Sequence, residues 1–286
     1  MHDIILLGDP VAHSRSPAMQ NAALKHFGLD AHYRAVQTSA ADLPAQVAAL
    51  REAKFLGANV TLPHKQAVVA LLDALEPEAE RIGAVNTIYK HASGALVGAN
   101  TDAPALIADL ADSEVHVAGA RVVLLGASGA ARAAAFALAA ADPAMLVVAN
   151  RTLARAENLL ADLLLAITDE NGLTVRGLPP PPLVALALDD PDLAAPIAEC
   201  HLLINATAAG WDPAETPLAD PPVGPRTFVY DMVYRPTRFL HESAARGART
   251  CAGTGMLVHQ GALAFTRWTG LPAPLDLMRR AAFPDL

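Results

Sequence analysis

Short apolar runs, each stopped by glycine, proline or polar residues, alternate along the chain with longer stretches whose apolar positions recur at helical spacing. Residues 4–8, IILLG, end at Gly8 and Pro10 and predict a buried strand. Residues 13–28 predict a helix capped by Ser16, with Pro17 at its first position and Gly28 at its end. A strand follows at 33–37, a helix at 42–53 and a strand at 55–61. Pro63 is then expected to open a helix with Val68, Leu71, Leu72 and Leu75 on one face, which puts Lys65 in its first turn. Residues 82–90 and 95–101 read as two strands joined by a turn at 91–94, and a helix is expected over 104–111. Residues 121–141 read as strand, glycine turn and alanine-rich helix, and 145–151 as the next strand, which makes a βαβ unit. The stretch 168–200 is the least regular, with one short strand expected near 173–175. Two more strands are expected at 202–210 and 227–233. From Gly253 a helix runs to 270 with Leu257, Gly261, Ala264, Phe265 and Trp268 on one face. The alternation of strands and helices predicts an α/β protein, and no internal repeat stands out beyond it.

Composition narrows the class. The chain has 286 residues, 53% of them hydrophobic, enough for two ordinary domains with substantial cores. A net charge of −8 with no basic run argues against a protein that neutralises nucleic-acid phosphates. The apolar runs are too short to span a bilayer, and the N-terminus lacks the pattern of a signal peptide. The two cysteines, Cys200 and Cys251, lack metal-like spacing and fit a reducing cytoplasm, and the ten histidines form no ligand pattern, so no metal is expected. Only four of the 21 basic residues are lysines. In a chain so rich in arginine, a lysine in a motif draws interest, because lysine can release a proton and arginine cannot.

Three stretches offer chemistry. GANVTLPHK, 57–65, and GANTD, 98–102, bring a lysine and an aspartate into polar strand ends. At the expected helix start Lys65 would face a positive dipole, an unusual place for a cation; the alternative is a solvated lysine. Asp102 either carries chemistry or caps the helix after it. Ser14 and Ser16 beside a helix N-terminus either bind an anion or only cap. Gly126 and Gly129 lie in a compact dinucleotide turn at 126–132, where backbone must approach a pyrophosphate. An NAD site usually ends its second strand with an acidic residue. Here Asn150, Arg151, Thr152 and Arg155 stand there instead, which favours the 2′-phosphate of NADP over a merely solvated basic face.

The motifs SRSP (14–17), GANVTLPHK (57–65), GAVNT (83–87), GANTD (98–102), GASGAAR (126–132), NRT (150–152), NAT (205–207), YDMVYRP (230–236) and GMLVHQGA (255–262) follow one another in an order that resembles the shikimate dehydrogenase family nearly end to end. The resemblance implies two α/β domains around a cleft: a substrate domain at 1–102, a Rossmann-type doubly wound NADP domain at 103–240, and C-terminal helices at 241–286 returning to the substrate domain. It implies reversible NADP-dependent conversion of shikimate to 3-dehydroshikimate by a cytoplasmic monomer or homodimer. Lys65 and Asp102 would be the catalytic pair. Ser14, Ser16 and Tyr234 would hold the substrate carboxylate, and Asn59, Thr61, Asn86 and Gln260 its hydroxyls. Gly126, Ser128, Gly129 and Ala130 would contact the pyrophosphate, and Asn150, Arg151, Thr152 and Arg155 the adenosine phosphate. Thr207, Val233, Gly253 and Met256 would lie near the nicotinamide half.

The chain departs from the family pattern at Gln20, where histidine is expected, at Ser128, in place of the middle glycine of the turn, at NATAAG in place of NATSxG, and in a longer 168–200 stretch. A quinate or mixed quinate/shikimate dehydrogenase is the near alternative; a dinucleotide sensor without catalysis is the remote one, and the joint presence of Lys65 and Asp102 argues against it.

Overall fold

The computed structural model describes residues 1–174, 177 and 179–285. It divides into two compact units, Met1–Ala105 with Leu257–Leu286, and Leu106–Met256.

In the first unit the chain forms β1 (His2–Gly8), α1 (Ser16–His26), β2 (Ala31–Gln37), α2 (Leu43–Ala49), β3 (Phe55–Val60), β4 (Ala74–Leu75), α3 (Pro77–Ile82), β5 (Thr87–Lys90) and β6 (Leu96–Ala99). The strands make one sheet in the order β2-β1-β3-β5-β6-β4. β1 runs parallel to β2 and β3, whereas β5 is antiparallel to β3 and β6. β1 is buried over Ile4–Gly8, the unbroken apolar run of a strand covered on both faces. On one face Ile5, Leu7, Val47, Leu50, Val60, Val85 and Ile88 form a core. β2 is an edge strand, and Tyr33 is its one fully buried position.

Three expectations change here. No α-helix begins at Pro63. Residues 61–66 form turns, Ala67–Leu71 make a short 3₁₀ helix, and Leu72 turns the chain into extended backbone. That lets Ala74–Leu75 pair with β6. The competing partners are distant in sequence: the Asp73 carboxylate accepts from the Leu96 amide at 2.8 Å and from the Arg51 guanidinium at 2.7 and 2.8 Å. The strand expected over 82–90 begins only at Thr87, because the α3 helix ends through Gly83 at φ +67°. α1 starts at Ser16 itself, with Arg15 as its cap residue, so Ser16 does not cap; the Ser14 hydroxyl accepts from the Ser16 amide at 3.2 Å instead.

α4 (Asp102–Asp112) leads into the second unit, which holds β7 (Arg121–Leu125), α5 (Gly129–Ala140), β8 (Met145–Asn150), α6 (Leu153–Ile167), β9 (Leu183–Ala187), α7 (Ala194–Glu199), β10 (Leu202–Asn205), β11 (Phe228–Asp231), α8 (Arg238–Ala245) and β12 (Arg249–Ala252). All six strands are parallel, in the order β12-β11-β10-β7-β8-β9. This is the doubly wound order, with its switch point between β7 and β10. α5 packs closely because its side chains are small: Ala131 and Ala133–Ala139 with Arg132 are all buried. The unit continues past the expected boundary at 240 to Met256, because α8 and β12 complete the parallel sheet beside β11. The 168–200 stretch supplies β9, α7 and an isolated bridge between Thr168 and Thr174; of the strand expected at 173–175, Val175 lies outside the described residues. α9 (Thr254–Thr269) and α10 (Leu275–Ala282) follow, with Leu257 onward in the first unit.

Candidate active site

In the first unit, turns rather than helices deliver the reactive groups. The 61–66 turn is pinned by the Thr61 amide on Leu7 O at 2.8 Å, the His64 amide on Thr61 O at 2.9 Å, and the buried His64 ring donating to Thr38 O at 2.6 Å. The Val85 amide donates to Lys65 O at 2.8 Å. Lys65 is thereby held at the end of β3 with its side chain 15% exposed, and Nζ donates to Asp102 Oδ2 at 2.6 Å. With no α-helix opening at Pro63, Lys65 does not sit in the first turn of a helix.

Asp102 begins α4 without capping it. Asn100 Oδ1 accepts from the amides of Asp102 and Ala103 at 3.1 and 3.2 Å, so the capping role falls to Asn100. The Asp102 carboxylate is left free for side chains. Oδ2 takes Lys65, and Oδ1 takes Asn86 Nδ2 at 2.8 Å. Lys65 keeps two of its three hydrogens for a ligand. Asn86 is buried and saturated: Oδ1 accepts from the Thr101 amide at 2.8 Å, and Nδ2 also donates to Thr101 Oγ1 at 2.8 Å. Asn59 is similarly committed. Its Nδ2 donates to Asn86 O at 2.9 Å and Thr87 Oγ1 at 3.1 Å, and its Oδ1 accepts from the Tyr33 hydroxyl at 2.8 Å. Any ligand contact it makes is therefore as an acceptor, through the remaining Oδ1 lone pair. Burial pushes the Tyr33 phenol well above its ordinary pKa, and a hydrogen bond from Ser16 draws it partly back, so Ser16 belongs to the same network.

Ser14 and Thr61 are half-buried beside these groups in sequence, and Gln260 turns Nε2 onto Leu257 O of its own helix at 2.7 Å. Gln20, the unusual residue behind Ser16, is fully buried; Nε2 donates to Gly261 O at 2.8 Å while Oε1 has no partner among the described residues. Tyr234 belongs to the second unit, where its ring meets Trp211 edge-on at 4.8 Å.

In the second unit the candidate cofactor residues gather at the carboxyl ends of β7, β8, β10 and β11. Gly126 follows β7 at φ +113°, a conformation that favours glycine, and an added Cβ would sit 3.1 Å from the Ala206 backbone and the Thr207 side chain. Ser128 precedes α5 without a side-chain cap, its hydroxyl lying 3.4 Å from Ala206 O. The first-turn amides of Gly129, Ala130 and Ala131 have no helical acceptor, which makes this helix start suited to an anion. Beyond β8, Asn150 Nδ2 donates to Thr152 O at 2.9 Å, and Arg151, Thr152 and Arg155 are exposed. Among the described residues neither arginine has an acidic partner, and no carboxylate ends the strand. The donor set fits an anionic group on an adenosine ribose, and the glycine cradle fits a pyrophosphate.

The third part of this edge is a buried polar knot. Asp231 is fully buried, and burial raises its carboxyl above the usual range. Thr237 Oγ1 at 2.7 Å, the Val233 amide at 3.0 Å and Asn205 Nδ2 at 2.9 Å oppose that rise. Asn205 Oδ1 accepts from the Thr207 amide and hydroxyl at 3.0 and 2.7 Å. Asp231 thus holds the loops carrying Val233 and Thr207. Gly253 packs where a Cβ would come 2.7 Å from Met232 O, and the Met256 amide donates to Asp109 Oδ2 at 2.9 Å. Tyr33, Thr87, Asn100, Asn205, Asp231 and Thr237 were not singled out from the sequence. Four of them lie inside or beside GAVNT, GANTD, NAT and YDM, where the motif itself was the available signal; Tyr33 and Thr237 had none.

A parallel sheet in this order, with a glycine turn at its switch point and, after its second strand, arginines without an acidic partner among the described residues, defines a doubly wound dinucleotide-binding unit, in a chain that also holds a second α/β unit with a largely shielded lysine–aspartate pair. The family models agree: that of the shikimate dehydrogenase substrate binding domain matches residues 6–88, and that of the shikimate 5′-dehydrogenase C-terminal domain residues 253–283. The shikimate dehydrogenase (NADP(+)) of Moorella thermoacetica is 44% identical over 281 residues, covering 97% of this chain and 91% of its own. The solved shikimate 5-dehydrogenase of Thermus thermophilus, in complex with NADP(H) and shikimate, superposes with a TM-score of 0.83 at 40% identity, covering 100% of both chains. A quinate dehydrogenase of Corynebacterium glutamicum in complex with NAD superposes with a TM-score of 0.85 at 31% identity, over 100% of this chain and 99% of its own. The chain belongs to the shikimate dehydrogenase family.

Proposed function

We propose that this protein catalyses the reversible NADP-dependent oxidation of shikimate to 3-dehydroshikimate. The observation that carries the reading is the Lys65–Asp102 pair, 2.6 Å apart and mostly shielded from water, in a chain whose relatives are shikimate dehydrogenases. NADP, when bound, supplies a hydride acceptor in one direction and a donor in the other. The chain supplies the proton chemistry. In reduction Lys65, as an ammonium, points a hydrogen at the ketone oxygen and gives it the proton; in oxidation it takes the alcohol proton. Asp102 keeps Lys65 aimed by holding one of its three hydrogens. Acid–base help of this kind is typically worth about 10²–10⁴-fold.

Ser14, Ser16 and Tyr234 bind the carboxylate in this reading, and Thr61, Gln260 and the Asn59 acceptor bind ring hydroxyls. Asn86, with both amide hydrogens already committed, serves chiefly to hold Asp102. Gly126, Ser128, Gly129 and Ala130 hold the pyrophosphate, Asn150, Arg151, Thr152 and Arg155 the 2′-phosphate, and Thr207, Val233, Gly253 and Met256 the nicotinamide half. Among the described residues no helix is long and apolar enough to cross a membrane, and a cytoplasmic monomer or homodimer is the setting we propose.

The test is a four-way assay of shikimate or quinate with NADP or NAD, followed by absorbance of the reduced nicotinamide. Turnover confined to shikimate with NADP supports the reading. Strong quinate turnover moves the protein to the quinate branch, and a preference for NAD overturns the arginine assignment. Silence in all four with nucleotide binding intact returns the sensor alternative.

A further inference from the structure

The hydrogen bonds around the Lys65–Asp102 pair form a chain that runs from Tyr33 to the Asp102 carboxylate. The Tyr33 phenol has one hydrogen, and Asn59 Oδ1 can only accept, so Tyr33 donates at 2.8 Å. Asn59 Nδ2 also faces the backbone carbonyl of Asn86, an acceptor, which fixes the amide's orientation and makes Asn59 the donor to Thr87 Oγ1 at 3.1 Å. Thr87 Oγ1 then lies 3.1 Å from Asn86 Oδ1, which can only accept its hydrogen, and 3.4 Å from the Thr101 hydroxyl. Asn86 Oδ1 faces the Thr101 amide, a donor, so its Nδ2 necessarily turns to Asp102 Oδ1 at 2.8 Å. Lys65 closes the series on the other carboxylate oxygen.

Tyr33 and Thr87 are both fully buried. The Tyr33 backbone is clamped by the Asn21 side chain, which donates to its carbonyl and accepts from its amide, each at 2.8 Å. Its ring lies against Trp268 with centroids 6.0 Å apart, and Trp268 is in turn tied to Ile88 O at 2.9 Å. The start of the chain is thus held from two sides by packing that has no other evident role in the site.

We propose that Thr87 and Tyr33 are positioning residues: they steady the Asn59 and Asn86 side chains, whose amide faces the backbone already fixes, and so help Asn86 aim the Asp102 carboxylate at Lys65. Neither touches substrate. The inference rests on the activity proposed above and adds to it two residues that work at a distance of one and three links from Asp102's partner Asn86.

The experiment compares Thr87→Val, Thr87→Ser, Tyr33→Phe and the Thr87→Val/Tyr33→Phe double variant with the intact protein in the shikimate–NADP assay, with thermal midpoints measured in parallel. Thr87→Val keeps the shape and removes the hydroxyl; it is expected to lower kcat about tenfold, the scale of one or two lost hydrogen bonds. The KM for NADP should stay unchanged, and Thr87→Ser, which restores the hydroxyl, should recover most of the loss. Tyr33→Phe should lower kcat less, about threefold, and the two effects should fall short of multiplying in the double variant, because both act through one chain. Wild-type kcat in Thr87→Val and Tyr33→Phe, or a Thr87→Ser variant as impaired as Thr87→Val, overturns the proposal and leaves only packing. If Thr87→Val does not fold, Thr87→Ser and Tyr33→Phe carry the same decision. Absence of shikimate turnover in the intact protein instead overturns the proposed function, so the two failures are distinct.

Discussion

The two candidate regions solve opposite problems with opposite materials. Behind Lys65 the donors and acceptors of Asn59, Asn86, Thr87, Thr101 and Asp102 are committed to one another or to backbone, and these residues are all buried. At the end of β8 the arginines stand exposed with no acidic partner among the described residues. A proton transfer needs groups held within tenths of an ångström before the substrate arrives, so its geometry is set in advance by a closed network. A phosphate needs charge and free N–H groups, which flexible guanidiniums and a helix N-terminus provide without much prior order. Substitutions in the first region should therefore strike turnover, and in the second affinity.

The largest effect expected is that of Lys65→Ala, a fall in kcat of about 10²–10⁴-fold with little change in NADP affinity. Steady-state kinetics check it, and near-normal turnover would break the contrast at its centre. Gly126→Ala comes next. The new Cβ must adopt φ +113° and meet the Ala206 backbone at 3.1 Å, at a cost of about 1–3 kcal/mol. Its signature should be a lower thermal midpoint and weaker NADP binding by calorimetry, with kcat at saturating NADP preserved.

Arg151→Ala and Arg155→Ala sharpen the comparison. Each should raise the KM for NADP roughly tenfold, the scale of one partly exposed charge-assisted contact, and leave the KM for NAD nearly unchanged. The NADP effect should shrink as salt is raised, since exposed charges are screened. Equal losses with both nucleotides would mean that the arginines are not reading the 2′-phosphate.

The smallest effect belongs to an exposed pair in the same unit as the buried one. The Arg51 guanidinium, and then the Leu96 amide, bring the Asp73 carboxyl down from 3.8 to about 2. A lowered pKa means that the folded state binds fewer protons than the unfolded one over this range, so the stabilisation is present above pH 3.8 and is lost as pH falls through 2. The gap in thermal midpoint between the protein and Asp73→Asn should be small at pH 5 and close as the pH approaches 2.

Much of this was legible along the chain. The strands at 4–8, 55–61 and 145–151 and the one opening 121–141, the glycine turn and the basic end of β8 are local signals: apolar runs, a glycine at the point of closest backbone approach, and the absence of an acid after the second strand. The errors share a cause. The Val68–Leu75 pattern has helical spacing, yet pairing of Ala74–Leu75 with β6 outweighed it. The resemblance placed 241–286 with the substrate domain, but β12 has a partner in β11 that no local pattern announces.

What the amino-acid sequence determined by itself is the inventory: a lysine and an aspartate at polar strand ends, a dinucleotide turn, and arginines where an NAD enzyme would place a carboxylate. Those follow from residue type and short spacing, which need no distant partner. Only tertiary structure decided that Asn100 relieves Asp102 of capping, that Asp102 then meets a lysine 37 positions earlier, and that a tyrosine on an edge strand begins the chain of hydrogen bonds behind them. Direction and saturation of hydrogen bonds are properties of groups brought together from β2, β3, β5 and α4, and they exist only once the sheet has set those elements side by side.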